Sequence, residues 1–198
     1  EAMLEVLKKN APTSGDACLQ FEAEYAAYCG TTYARAVSNG TAALFLSLLG
    51  IGLKPGDKVL TTPITWIATA AAGATLGAEV DFVDVDPVTY NLDPNQLEKK
   101  LTPNTKAVLP VHLYGQCCDM DALLGLAKKH GFAIVEDACH AAGAEYQGKK
   151  AGGMGAAGCF SFHEQKNMST LGEGGMIVTN DGDVFERIAL YRSHCTRV

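Results

Sequence analysis

The chain has no block of like charge. Its 22 acidic residues outnumber its 16 lysines and arginines, giving a formal net charge of -6. The basic residues never cluster beyond the pairs Lys8-Lys9, Lys99-Lys100, Lys128-Lys129 and Lys149-Lys150, which read as solvated helix ends and turns. That balance excludes nucleic acid as the main partner. Cys-x-x-Cys pairs are absent as well. The seven cysteines are odd in number and irregularly spaced, and no secretory pattern opens the chain. Reduced thiols and a cytoplasmic location are expected, and the adjacent Cys117-Cys118 and Cys139-His140 do not make a zinc site. Long apolar runs are also missing. Val59 to Ala78 passes without a charge, but it contains Pro63, Gly73, Gly77 and five threonines, so a buried strand, turn and helix explain it better than a membrane span. What remains is an ordinary composition, 47% apolar and 19% charged over 198 residues, enough for one domain with a sizeable core.

From residue 31 onward short β-branched runs alternate with helical ones, the pattern of an α/β domain with a mainly parallel central sheet flanked by helices. Residues 1–30 read as a lead-in segment with a helix over Asp16 to Cys29, stopped by Gly30, and residues 31–198 as one globular α/β unit. Strands are expected over Ala34–Ser38, Lys58–Thr62, Glu79–Val85, Thr105–Leu113, Phe132–Glu136, Cys159–His163 and Met176–Thr179. Helices are expected over Thr41–Leu49, Trp66–Leu76, Pro94–Leu101, Met120–His130 and Val184–Arg192. Gly153-Met-Gly-Ala-Ala-Gly158 fits the Gly-x-Gly-x-x-Gly dinucleotide fingerprint letter for letter. That motif has to follow a strand and open a helix, and here it follows a Gly-Lys-Lys turn and leads into Cys159-Phe-Ser-Phe, a strand.

Three segments carry chemistry. Lys166 lies just after a strand-like run and before a glycine turn, where a Schiff-base lysine would sit; the alternative is a surface lysine. Asp137 closes Ile134-Val-Glu-Asp, at the carboxyl end of a parallel strand where ligand sites gather. It is favoured over Glu136, which points to the other face, although an N-cap or a solvated acid also accounts for it. Gly40-Thr41-Ala42 precedes a helix whose unpaired N–H groups and dipole suit a phosphate, or Asn39 and Gly40 are only a cap. An amine, an acid and a phosphate cradle are what pyridoxal phosphate asks of a protein. Ser161 offers a further phosphate contact or a plain backbone bond. Trp66, the one tryptophan, offers a stacking ring or a core residue, and His140 and His163 are structural histidines or neighbours of the cofactor.

Five ordered blocks, Ser38-Asn-Gly-Thr-Ala-Ala-Leu44, Val111-His-Leu-Tyr-Gly-Gln116, Glu136-Asp-Ala-Cys-His-Ala-Ala-Gly143, Phe160-Ser-Phe-His-Glu-Gln-Lys-Asn167 and Gly172-Glu-Gly-Gly-Met-Ile-Val-Thr-Asn180, run through nearly the whole chain. Together they resemble the DegT/DnrJ/EryC1/StrS aminotransferases, pyridoxal-phosphate enzymes of fold type I. The resemblance implies that Lys166 is the Schiff-base lysine and Asp137 the pyridinium partner. It implies that Gly40, Thr41, Ala42 and Ser161 contact phosphate, that Trp66 stacks on the cofactor, and that His140 replaces the glutamine many members carry near the ring oxygen. It implies transfer of an amino group from glutamate or glutamine to a keto sugar, usually nucleotide-linked, in a homodimer. Relatives that dehydrate instead carry histidine for the lysine, so Lys166 favours transamination; a dehydratase-like enzyme or a regulatory member of the fold are the other readings. Family members are longer, so the resemblance covers an N-terminal segment and large domain without the small C-terminal domain.

Overall fold

The strands alternate in which face they bury, and that alternation places the helices. Val59, Leu109, Val135, Cys159 and Ile177 share one apolar cluster, while their neighbours Leu60, Val108, Ile134, Phe160, Met176 and Val178 belong to clusters on the opposite face. A sheet covered on both sides needs apolar residues at both parities, which is how a parallel sheet reads in sequence. The computed structural model describes residues 2–9 and 15–196. Its helices are α1 (Ala2–Lys8), α2 (Asp16–Cys29), α3 (Gly40–Gly50), α4 (Ala68–Thr75), α5 (Pro94–Lys100), α6 (Met120–His130) and α7 (Gly182–Arg192). The strands are β1 (Tyr33–Val37), β2 (Lys58–Thr61), β3 (Glu79–Phe82), β4 (Thr105–Leu109), β5 (Ala133–Asp137), β6 (Glu145–Tyr146), β7 (Lys149–Lys150), β8 (Ala157–Ser161) and β9 (Gly175–Thr179).

Seven strands form one sheet in the order β1-β9-β8-β5-β4-β2-β3. The pairings from β8 through β5, β4 and β2 to β3 are parallel, and β9 runs antiparallel to both β8 and β1. The mainly parallel α/β architecture expected from the alternating pattern is therefore present. Helices α3, α4 and α7 cover one face with Leu44, Leu48, Ala72, Val184 and Ile188. On the other face, Tyr25, Ala26 and Cys29 of α2 pack on Phe160, Phe162 and Met176, and Met120 and Leu123 of α6 pack on Leu60, Val108 and Ile134. Capping residues set several helix starts: Asn39, Asp93, Asp119 and Asp181 each accept a backbone N–H of the first turn.

Where the elements differ from the sequence reading, a local cause is visible. The expected strand Thr105–Leu113 stops at Leu109, because Pro110 has no N–H to give the ladder. Val111 still bridges Asp137, and the chain then folds into a short 3₁₀ turn over Leu113–Gly115. The helix expected from Trp66 begins at Ala68; Trp66 and Ile67 stay in the preceding loop, 73% and 72% exposed. The strand expected to reach Val85 ends at Phe82, and Val85 pairs across a small loop with Leu92. The uncharged run Val59–Ala78 divides into β2, a loop and α4. Among the described residues no helix is long and apolar enough to cross a membrane.

Candidate active site

Four parallel strands, β2, β4, β5 and β8, end on the same edge of the sheet, and the loops they feed enclose a cavity of about 360 Å³. Ligand sites of open parallel sheets form at this edge. Its lining includes Gly40, Thr41, Trp66, Asp137, His140, Ser161 and Lys166. Of the residues singled out from sequence, only Ala42 is absent from the wall. Its N–H is already taken, donated to the Asn39 side chain at 2.8 Å.

Asp137 is the last residue of β5 and shares the parity of Val135, which directs it toward the α3 and α4 face. It is 4% exposed. Oδ2 accepts from the Thr69 hydroxyl at 2.7 Å and Oδ1 from the Cys139 N–H at 3.2 Å. Thr69 in turn stands 2.7 Å from the Thr65 hydroxyl, so the start of α4 fixes the carboxylate. Lys166 ends a tight turn in which its N–H donates to the His163 carbonyl at 2.9 Å. Nδ1 of His163 accepts the Gln165 N–H, and its Nε2 faces the Glu173 carboxylate at 3.6 Å. The turn that carries the lysine is thereby tied to the Gly172–Gly174 turn.

The N-terminus of α3 comes up against Ser161. A Cβ on Gly40 would lie 2.8 Å from the Ser161 Cβ and 3.0 Å from the Cys139 Sγ, so only glycine lets the first turn approach this closely. Gly40 and Thr41 bring the positive end of the helix dipole to the cavity wall, and the Ser161 hydroxyl stands beside it. Across the cavity, burial first and the Lys166 ammonium second hold His140 below the ordinary histidine range, so it is neutral at pH 7. Its Nδ1 is buried without a hydrogen-bond partner among the described residues. The His140 ring is stacked on Tyr114, centroids 6.0 Å apart and 7° from parallel. An amine, a fixed carboxylate, a helix N-terminus and a neutral imidazole thus line one volume.

Comparison with known proteins places the chain as a whole. A model of the DegT/DnrJ/EryC1/StrS aminotransferase family matches residues 1–198. The chain belongs to that family. It is 48% identical over 174 residues to the GDP-perosamine synthase of Caulobacter vibrioides, covering 88% of this chain and 47% of that protein. It is 44% identical over 190 residues to a pleiotropic regulatory protein of Geobacillus stearothermophilus, covering 96% and 51%. Among solved structures, the aminotransferase from Psychrobacter cryohalolentis superimposes with a TM-score of 0.95 at 40% identity, covering 98% of this chain and 49% of that one. The chain spans about half the length of the curated relatives it matches.

Within this DegT/DnrJ/EryC1/StrS fold, the sequence reading passed over several residues. Thr69 is one: a polar residue in an alanine-rich helix, three after Trp66, and fully buried. Glu136 and His112 are the others. Glu136 faces away from the cavity as expected. It is 0% exposed, and the glycine segment that mimics a dinucleotide fingerprint wraps its carboxylate instead of a phosphate.

Proposed function

We propose that this chain forms the cofactor-binding large domain, residues 31–198 with residues 1–30 as lead-in, of a pyridoxal-phosphate aminotransferase. In this reading it moves an amino group from glutamate or glutamine to a keto sugar linked to a nucleotide, in the cytoplasm and as a homodimer. The convergence of Lys166, Asp137 and the α3 N-terminus on one cavity carries the proposal. The residues fit the cofactor on two counts specific to this structure: a glycine at the start of α3 where a Cβ would press on Ser161, and a buried His140 Nδ1 with no partner among the described residues.

When bound, the cofactor supplies an electron sink for the bond breaking at the amino acid's α-carbon. The chain's own residues do the rest. N–H groups of Gly40 and Thr41, with the Ser161 hydroxyl, bind the phosphate. Asp137, anchored by Thr69 and Cys139, holds a proton on the ring nitrogen by pairing with it. Trp66 covers one face of the ring and shields it from water. Neutral His140, in the same wall, would stand near the ring oxygen. The Lys166 amine would hold the cofactor and, once the donor's amino group displaces it, would take the proton from the donor's α-carbon and return it to the cofactor.

The test is a spectroscopic titration of the protein with pyridoxal phosphate. Wild-type protein develops the visible band of a lysine imine, Lys166→Ala binds the cofactor without that band, and glutamate bleaches the wild-type band. A band of equal strength in Lys166→Ala removes the assignment.

A further inference from the structure

Glu136 has an unusual place among the buried charges. Its Oε2 accepts from the Gly152 N–H at 2.7 Å and from His112 Nε2 at 2.9 Å, and its Oε1 accepts from Met154 and Gly155 at 2.7 and 2.5 Å. An ionised carboxylate accepts about four such bonds, and a buried one is tolerable only when they are filled. The loop can close this tightly because its residues are small: a Cβ on Gly158 would collide with the backbone of Gly152. The charge is felt nearby, since burial first and Glu136 second push the Cys117 thiol up to about 11.

His112 transmits this anchor to the cavity. Nδ1 accepts the Cys118 N–H at 3.1 Å, which leaves the proton on Nε2 to be donated to Glu136. The His112 N–H donates to the Asp137 carbonyl at 3.0 Å, and the Asp137 N–H donates to the Pro110 carbonyl at 2.9 Å. The segment 110–112 therefore grips the backbone of Asp137 from one side and the side chain of Glu136 from the other. Two residues on, Tyr114 is 87% exposed and holds a left-handed backbone (φ 52°, ψ 26°) while its ring stacks on His140. For a tyrosine that conformation is strained and persists only where the surroundings impose it. Asn91 supplies part of the hold, accepting the Leu113 N–H and donating to the Gln116 carbonyl. The turn's own backbone bonds, from the Gly115 N–H to the His112 carbonyl and from the Gln116 N–H to the Leu113 carbonyl, add to it, and the Glu136–His112 bond fixes the residue on which they close.

We infer that Glu136, acting through His112, is a positioning residue that sets both Asp137 and the Tyr114–His140 stack in the cavity. This rests on the reading of that cavity as the cofactor site. A carboxylate and its neighbour in sequence thus divide the work: Asp137 faces the ligand, and Glu136 faces the loop that keeps Asp137 in place. The arrangement also gives the glycine segment 152–158 a task, which is to supply N–H donors to a protein carboxylate.

Glu136→Gln tests this, because it keeps the shape but turns an amide N–H toward donors. Leu123→Ala serves as control: Leu123 is fully buried on α6, outside the cavity wall, so its loss of stability reports packing alone. Each protein is compared by pyridoxal phosphate affinity, by backbone amide exchange at His112, Asp137 and Cys139 without cofactor, and by the ring-current shift of His140. Glu136→Gln is expected to weaken cofactor affinity about tenfold or more, the scale of one lost hydrogen bond to a charged group, with faster exchange at Asp137 and loss of the ring-current shift. Leu123→Ala should stay within about threefold of wild type in affinity, since Leu123 forms no part of the cavity wall and makes none of the hydrogen bonds around Glu136 and His112. His112→Leu should follow Glu136→Gln, and His112→Gln, which retains one donor and one acceptor, should restore affinity. Equal affinity in Glu136→Gln with unchanged exchange at Asp137 overturns the inference, as does an equal loss in the control. If Glu136→Gln does not fold, the His112 pair decides by the same readouts. Failure of wild-type protein to bind the cofactor at Lys166 removes the proposed function, while amide exchange and ring-current shifts still decide whether Glu136 positions these groups.

Discussion

Replacing Gly40 by alanine perturbs the point at which α3 meets β8. The added Cβ would sit 2.8 Å from the Ser161 Cβ, 3.0 Å from the Cys139 Sγ and 3.3 Å from the Ser161 Oγ. The neighbours must yield by roughly half an ångström, and all belong to short, packed segments, so the change behaves as overpacking at about 1–3 kcal/mol. Alanine is the better helix former and returns at most about 1 kcal/mol. A net loss of about 1–2 kcal/mol follows, which for a chain of this size lowers Tm by roughly 2–8 °C. The same displacement moves the Gly40 and Thr41 N–H groups away from the Ser161 hydroxyl, so affinity for a phosphorylated ligand should fall about tenfold, the value of one lost charge-assisted hydrogen bond. Thermal denaturation and a pyridoxal phosphate titration on the same samples measure both. A Gly40→Ala protein as stable as wild type with unweakened binding would refute the close approach.

His140 should titrate below ordinary histidine in an NMR titration of the protein without cofactor, and Lys166→Ala should raise its pKa by removing the second of its two depressing causes. Because the folded value lies below the unfolded one, the unfolded state binds more protons between them. His140 therefore contributes its stability in full above about pH 6.5 and loses it as pH falls toward the folded value; His140→Gln should flatten denaturation midpoints across that window, and an unchanged slope counts against it. Trp66→Ala should leave stability within about 0.5 kcal/mol, as exposed positions do, since Trp66 is 73% exposed. It should also weaken cofactor binding, and a large stability loss with normal binding would make it a core residue instead. Glu136→Gln should lower the pKa of Cys117 and speed its alkylation at pH 8, because the Glu136 charge is one of the two causes that raise it.

The architecture was legible where local chemistry speaks for itself. Asp119 and Gly131 bracket α6, and both ends of Met120–His130 fall where cap and stop residues place them. The two parities of Val59-Leu60, Val135-Ile134 and Cys159-Phe160 show which face each helix covers. Lys166, Asp137, Trp66, His140 and Ser161 reach one cavity because strand ends in a parallel sheet gather on one edge. Ala42 did not follow, for a reason written one turn away: Asn39 claims its N–H. What lay beyond the sequence was pairing over distance. The partners of Glu136 sit 16 to 24 positions away, at Gly152, Met154, Gly155 and His112. Nothing in the glycine spacing says that the anion these amides meet is the protein's own carboxylate. Thr69 was hidden likewise, since its bond to Asp137 spans 68 residues.

The central claim, that this cavity holds pyridoxal phosphate on Lys166, is tested most directly by borohydride reduction of the protein mixed with the cofactor, followed by peptide mapping by mass spectrometry. The account predicts one reduced pyridoxyl adduct, on the peptide containing Lys166, and its loss in Lys166→Ala. An adduct spread over surface lysines such as Lys99 and Lys128, or one that survives Lys166→Ala, would contradict it.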